Sequence, residues 1–300
     1  MENQDKIALF EQTPVHRAVM TMTIPTVISS LVMVLYNLAD TYFVGMLNNP
    51  IQNAAVTLAA PVLLAFNAVS MMSRALGRKN YDAVRRSSAI GFYFALVAGI
   101  LFSAGVTTFR PPLLQLLGST EETAAATAEY LLWTVSWGAV PAILNVVLAF
   151  FVRAEGATFH ASIGTMSGCL LNIVLDPIFI LPQGLDMGAA GAGLATFLSN
   201  CAACLYFFVL LFWKRKTTFV CLNPTMLRWE GPIIAGICAV GIPSSIQNLL
   251  NVTGMTVLNN FTAVFGSDAV AAMGISQKIN MVPMYIAMGV SQGIMPLVSY

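Results

Sequence analysis

The feature that most limits what this chain can become is the length of its apolar runs. Eight stretches carry few charges and are joined by short polar segments: roughly 18–47, 53–73, 87–109, 124–152, 161–182, 189–213, 232–262 and 269–300. Several reach the about 20 residues that an α-helix needs to cross about 30 Å of hydrocarbon. No period-2 alternation runs through them, which excludes barrel strands and leaves helices. Composition agrees. Of 300 residues 57% are hydrophobic and only 9% charged, where soluble domains usually carry about 25% charged residues. The expectation is an all-α polytopic membrane protein with about eight transmembrane helices. The polar start, Met1 to Gln12, lacks the short apolar core and small-residue cleavage site of a signal peptide.

The basic residues orient the spans. With the N-terminus in the cytoplasm, that side holds Lys6, Arg17, Arg74, Arg78, Lys79, Arg85, Arg86, Arg153, Lys214, Arg215, Lys216 and Arg228, and the outside holds only Arg110. This bias predicts a multi-pass protein of the inner (plasma) membrane with a cytoplasmic N-terminus. The external turns carry acids or no charge, at Asn48-Asn49-Pro50, Glu121-Glu122, Asp186 and Asp268. The basic clusters abut apolar spans, so their role is topological and no nucleic-acid partner is expected.

The first and seventh spans resemble each other. Ile24-Pro25-Thr26-Val27-Ile28 matches Ile242-Pro243-Ser244-Ser245-Ile246, and Asn53-Ala54-Ala55-Val56 matches Val270-Ala271-Ala272-Met273, at an offset near 217. Six spans separate the copies, so they run in the same direction. Parallel six-helix repeats are a transporter architecture with the solute site between the halves. The expected layout is a cytoplasmic N-terminus (1–16), a six-helix N-terminal lobe (17–213), a cytoplasmic linker (214–231) and the first two helices of a second lobe (232–300). A complete second copy would need roughly four more spans beyond Tyr300. The second span is also short: Ala55 to Met72 is 17 residues, against 23 from Ala272 to Met295. The counterpart keeps Gly289 and Gly293 there, where small residues permit close helix packing.

Charges inside the spans are the functional signal. A carboxylate within hydrocarbon costs a few kcal/mol, so it is expected to face a polar cavity or to be protonated. Asp40 lies within the first span and Asp176 within the fifth, with Asn172 one turn earlier on the same face. At 1.5 Å per residue Asp40 sits roughly 12 Å below the external edge, Asp176 roughly 9 Å, Asn172 roughly 15 Å and Thr196 of the sixth span about 10 Å. Four oxygen-bearing side chains on three helices thus fall in one slab of the outer leaflet. Such a set can hold a small hard cation, or two neighbouring carboxylates can share a proton. The bland alternative is that each is a separately neutralised packing group. Pro25 and Pro243, at matched points of the repeat, read as hinges or as mere kinks. Lys278, inside the eighth span, either snorkels, pairs with an acid or lines the cavity. Trp133 and Trp137 share a helix face and can stack on aromatic cations or pack against the bundle.

At these residues the chain resembles a known family. Leu35-Tyr36-Asn37-Leu38-Ala39-Asp40-Thr41-Tyr42-Phe43-Val44-Gly45, Ser73-Arg74-Ala75-Leu76-Gly77-Arg78, Leu171-Asn172-Ile173-Val174-Leu175-Asp176-Pro177 and Gly191-Ala192-Gly193-Leu194-Ala195-Thr196 occur in the order and spacing of the multidrug and toxic compound extrusion (MATE) transporters. The pattern is most similar to the DinF-like subgroup. The resemblance implies a monomer of two six-helix lobes exporting drugs and organic cations in exchange for H⁺ or Na⁺. It also implies a coupling-cation site of Asp40, Asn172, Asp176 and Thr196, and bending of the first helix at Pro25. Tyr36, Asn37, Trp137 and Lys278 are the candidate substrate-cavity residues. Two departures stand out: the second helix lacks a longer Gly-containing stretch before Ser73-Arg74, and most of the second lobe is missing. A lipid-linked saccharide flippase of the same superfamily would want a cavity rich in Arg and Lys, where the spans offer only Lys278. A non-transporting remnant is the third reading.

Other signals point away from an enzyme and from any cofactor. Cys201-x-x-Cys204 lies on an apolar helix without a second pair, and Cys169, Cys221 and Cys238 are scattered. His16 and His160 sit at the ends of spans. No nucleophilic triad, phosphate loop or metalloprotease motif appears, so transport would draw on an ion gradient.

Overall fold

The computed structural model describes residues 12–46, 81–110, 121–215, 217–224 and 267–299, with isolated residues between 246 and 265. The expected second span (53–73), with its shortened stretch, and most of the seventh (232–262), including Pro243, lie outside the described residues. The elements are α1 (Val15–Met46), α2 (Tyr81–Thr108), α3 (Glu121–Leu131), a π-helical turn (Leu132–Trp137), α4 (Ala139–Ala154), α5 (Thr158–Ile180), α6 (Gly188–Trp213) and α7 (Ser267–Ser299). Among the described residues there is no strand. The molecule is an all-α polytopic membrane fold; among the described residues α1, α2, α5, α6 and α7 are each long and apolar enough to span a membrane.

The expected fourth span, 124–152, is not one straight helix: α3 with the π turn makes a 48° angle with α4. Gly138 marks the break. A Cβ there would lie 2.5 Å from the carbonyl oxygens of both Trp133 and Thr134, so the widened turn leaves room for no side chain. Helix α2 also starts earlier than its apolar stretch, carrying Arg85 and Arg86 on its first turns.

Small residues decide which helices touch. On α5 the buried residues Gly164, Gly168, Asn172 and Asp176 recur every four positions and make one face. Leu170, Val174 and Ile178 make an exposed apolar face, as expected where the solvent is lipid. A Cβ at Gly164 would strike the Phe207 ring at 2.3 Å, and one at Gly168 would press on Ala203 Cβ at 3.2 Å. The α5 and α6 axes therefore approach closely. Their connection folds back on α5: Leu185 N–H donates to the Ile178 carbonyl at 2.8 Å and Met187 N–H to the Phe179 carbonyl at 2.9 Å. Asp186 and Gly188 take left-handed backbone, with φ of 51° and 54°.

The core has two apolar clusters. One, around Phe92, Leu148, Phe151 and Phe207, lies toward the face that carries Arg17, Arg85, Arg153 and Lys214, here called the basic face. The other gathers Val44, Val106, Tyr130, Leu131, Val135, Ile180 and Ala192 toward the opposite face. At the basic face residues 217–222 form an extended strap. Glu155, just past α4 and 3% exposed, accepts from Thr218 Oγ1 at 2.6 Å, Phe219 N–H at 2.5 Å and Val220 N–H at 2.7 Å. Cys221 N–H donates to Ser88 at 3.0 Å and the Tyr93 hydroxyl to the Leu222 carbonyl at 3.0 Å. Arg153, read from sequence as a charge that sets orientation, is only 4% exposed and stacks over Phe150.

Candidate functional site

The tight α5–α6 hairpin sets up the site. Because Gly164 and Gly168 bring the two axes together, the next two residues on that face, Asn172 and Asp176, meet α6 at Thr196. Asp176 is fully buried and Asn172 is 2% exposed. The amide of Asn172 is oriented by its neighbours. With Nδ2 toward Asp176 it donates to Oδ2 at 2.9 Å, and its oxygen accepts from the Thr196 N–H at 3.1 Å. The reverse orientation leaves only a 3.4 Å bond from Nδ2 to Thr196 Oγ1. The first orientation satisfies both ends, so it is the one a buried amide adopts. Pro177 follows Asp176 and carries no N–H, so the Ile173 carbonyl loses its helical donor.

Helix α1 closes the site from the other side. Tyr36 of α1 stands beside Thr196 and close to both Asp40 and Asp176. Asp40 and Asp176 interact with each other as well. Oδ1 of Asp40 is buried and has no hydrogen-bond partner among the described residues. All four residues expected to form the slab are thus in one neighbourhood, with Tyr36 among them. Asn37 instead donates to its own helix, to the Met33 carbonyl at 2.8 Å. Trp133 packs on Phe197 at 6.1 Å, whereas Trp137 is 63% exposed. Pro25 lies within an α1 that runs unbroken from Val15 to Met46.

Three neighbours were not singled out from sequence. Tyr130, 5% exposed, stands within electrostatic reach of Asp40, Tyr36 and Asp176. Asn200 donates to the Thr196 carbonyl at 3.0 Å, and Asn145 donates to Asn200 Oδ1 at 3.1 Å. They extend a polar ladder from the carboxylates toward the basic face. The two asparagines left a signal, since each is an amide within an apolar span; an isolated Tyr left none. On the other side an apolar lid covers the site: Val44, Ile180 and Ala192 are each four residues, one turn, from Asp40, Asp176 and Thr196.

Among the described residues no group of three or more His, Cys, Asp and Glu side chains could hold a metal ion. What the arrangement offers is two carboxylates, an amide and hydroxyls, an oxygen set suited to a proton or a small hard cation.

A family model described as MatE matches residues 25–178 and 243–300. The chain belongs to the MatE family. Its members are transporters rather than enzymes. The chain is 32% identical over 307 aligned residues to the multidrug export protein MepA of Staphylococcus aureus, covering 99% of this chain and 66% of that relative. A MATE transporter solved in complex with MaL6 superimposes with a TM-score of 0.87 at 27% identity, over 97% of this chain and 66% of that one. An outward-facing multidrug resistance MATE transporter gives 0.83 at 28% identity, over 93% and 63%. The chain thus spans slightly less than two thirds of the length of these relatives.

Proposed function

We propose that this chain serves an ion-coupled multidrug efflux antiporter that exports organic cations and other small-molecule drugs in exchange for H⁺ or Na⁺. The observation that carries the reading is the buried Asp176, bonded to Asn172 and in one neighbourhood with Thr196 of α6 and with Tyr36 and Asp40 of α1. Two carboxylates brought together on packed apolar helices fit a protein driven by an ion gradient. In this reading Asp40, Asn172, Asp176 and Thr196 take the coupling cation in turn with the cationic cargo. Pro25 is the point at which α1 bends, and no resident cofactor is needed. The multidrug export named for MepA supports the same cargo class.

The basic face is assigned to the cytoplasm and the membrane to the plasma membrane, with the transporter acting as a monomer among lipids. The motifs fit the DinF-like subgroup. The test is ethidium export by the full-length gene in an efflux-deficient host. Wild type should lower cell-associated ethidium, and Asp40→Asn and Asp176→Asn should each remove at least about 90% of that activity. Equal export by wild type and Asp40→Asn overturns the coupling role. Repeating the assay with and without sodium decides the ion.

A further inference from the structure

Helices α1 and α7 pack antiparallel, and their register is fixed by two glycines. A Cβ on Gly293 would meet Thr23 Cα at 2.7 Å and Met22 O at 2.9 Å. One on Gly289 would meet Val27 Cα at 2.8 Å and Ser30 Oγ at 2.9 Å. A four-residue step back along α7 therefore matches a four-residue step forward along α1. The Thr26 hydroxyl confirms the alignment by donating to the Gly289 carbonyl at 2.7 Å. Eleven residues back from Gly289 is Lys278, and eleven forward from Val27–Ser30 is 38–41, the turn that contains Asp40. Both groups lie roughly 16 Å from the glycine contact along their helices, so they stand at one level.

Two further observations concern the same level. Lys278 is near enough to Asp40 for its charge to be felt there, at a separation longer than a direct ion pair. The buried Oδ1 of Asp40 and the buried Nε2 of Gln277, next to Lys278, each lack a hydrogen-bond partner among the described residues. An ammonium and a carboxylate so placed are each costly alone and cheaper together.

We propose that Lys278 is a tethered cation for Asp40, neutralising it from the facing helix and competing for it with any cation that enters the cleft. The competition rests on the antiporter reading, whereas the pairing rests on the α1–α7 register. A cationic cargo or coupling ion would have to displace the ammonium, so Lys278 sets how weakly cations bind when the cleft is open.

The experiment is a double-mutant cycle in the purified full-length protein, with Lys278→Met, Asp40→Asn, the double variant, and Lys278→Arg as the charge-keeping control. Lys278→Gln replaces the Met variant if that one does not fold. Thermal melting without cargo reads the pairing, and ethidium fluorescence reads the competition. Lys278→Met should lower the melting temperature by leaving Asp40 unpaired, and the double variant should recover most of that loss. Lys278→Met should tighten ethidium binding about threefold to tenfold, and Lys278→Arg should stay within about twofold of wild type. Additive melting shifts overturn the proposal whatever ethidium does. Coupled melting with equal ethidium affinity in wild type and Lys278→Met overturns the competition. Coupled melting with no ethidium binding by any variant upholds the pairing and removes the antiporter reading instead.

Discussion

Two helix seams in this molecule begin alike and end differently. Between α5 and α6, Gly164 and Gly168 bring the backbones together, and beyond them Asn172 is hydrogen-bonded across to Thr196 of α6 while it holds Asp176 on its own helix. Between α1 and α7, Gly293 and Gly289 do the same work at the basic-face end. Beyond them the register brings Asp40 and Lys278 to one level, without a hydrogen bond between the two helices there among the described residues. The first seam continues beyond its glycines into a hydrogen-bonded polar pair; the second has its cross-helix hydrogen bond at the glycines themselves, from Thr26 to the Gly289 carbonyl. Without a hydrophobic driving force between helices in lipid, close backbone contact and hydrogen bonds are what hold them.

The strongest way to break the comparison is to disrupt the glycine contact of the second seam. Gly293→Leu puts a side chain against Thr26 Oγ1 at 2.6 Å and the Thr23 and Met22 backbone. Backbone cannot yield, so the α1–α7 contact should weaken by about 3 kcal/mol. Spin-label distances between the basic-face ends of α1 and α7 should lengthen. Gly168→Leu, which meets Ala203 Cβ at 3.2 Å and Ser199 O at 3.3 Å, should lower the melting temperature and leave that distance unchanged. If both variants lengthen it, the two seams are not independent.

A smaller effect is expected from Asn172→Ala. It removes the donor to the buried Asp176 and should cost about 1–3 kcal/mol in thermal unfolding at neutral pH. An unchanged melting temperature would mean that Asp176 has another donor. The smallest effect is that of Thr26→Val, which deletes the one bond to the Gly289 carbonyl. About 0.6 kcal/mol is the typical loss for such a bond within a membrane. It should appear as a modest broadening of the same spin-label distance. A shift as large as that of Gly293→Leu would show that the hydroxyl, not the glycine stripe, holds the end.

Much of this was legible in the chain. The length of the apolar runs dictated helices, since only closed backbone hydrogen bonding survives in lipid. Asp40 and Asp176 announced themselves because a carboxylate among apolar residues needs a reason. Depth arithmetic put both at the level of Thr196, since rise per residue is fixed. Gly289 and Gly293 stood out as a small-residue pair, although only the coordinates identify Thr23–Ser30 as their partner. Tyr130, Glu155 and the break at Gly138 carried no comparable mark.

Sequence alone determined the helical class and the residues that carry charge within apolar runs, because those follow from local composition and the thickness of the bilayer. Tertiary structure decided which faces meet. Rotation of a helix about its axis is set by where the neighbours' small residues allow a close approach, and that information is spread over residues far apart in the chain. For that reason Lys278 is an unexplained charge in the sequence and, once Gly289 is seated on α1, a residue level with Asp40.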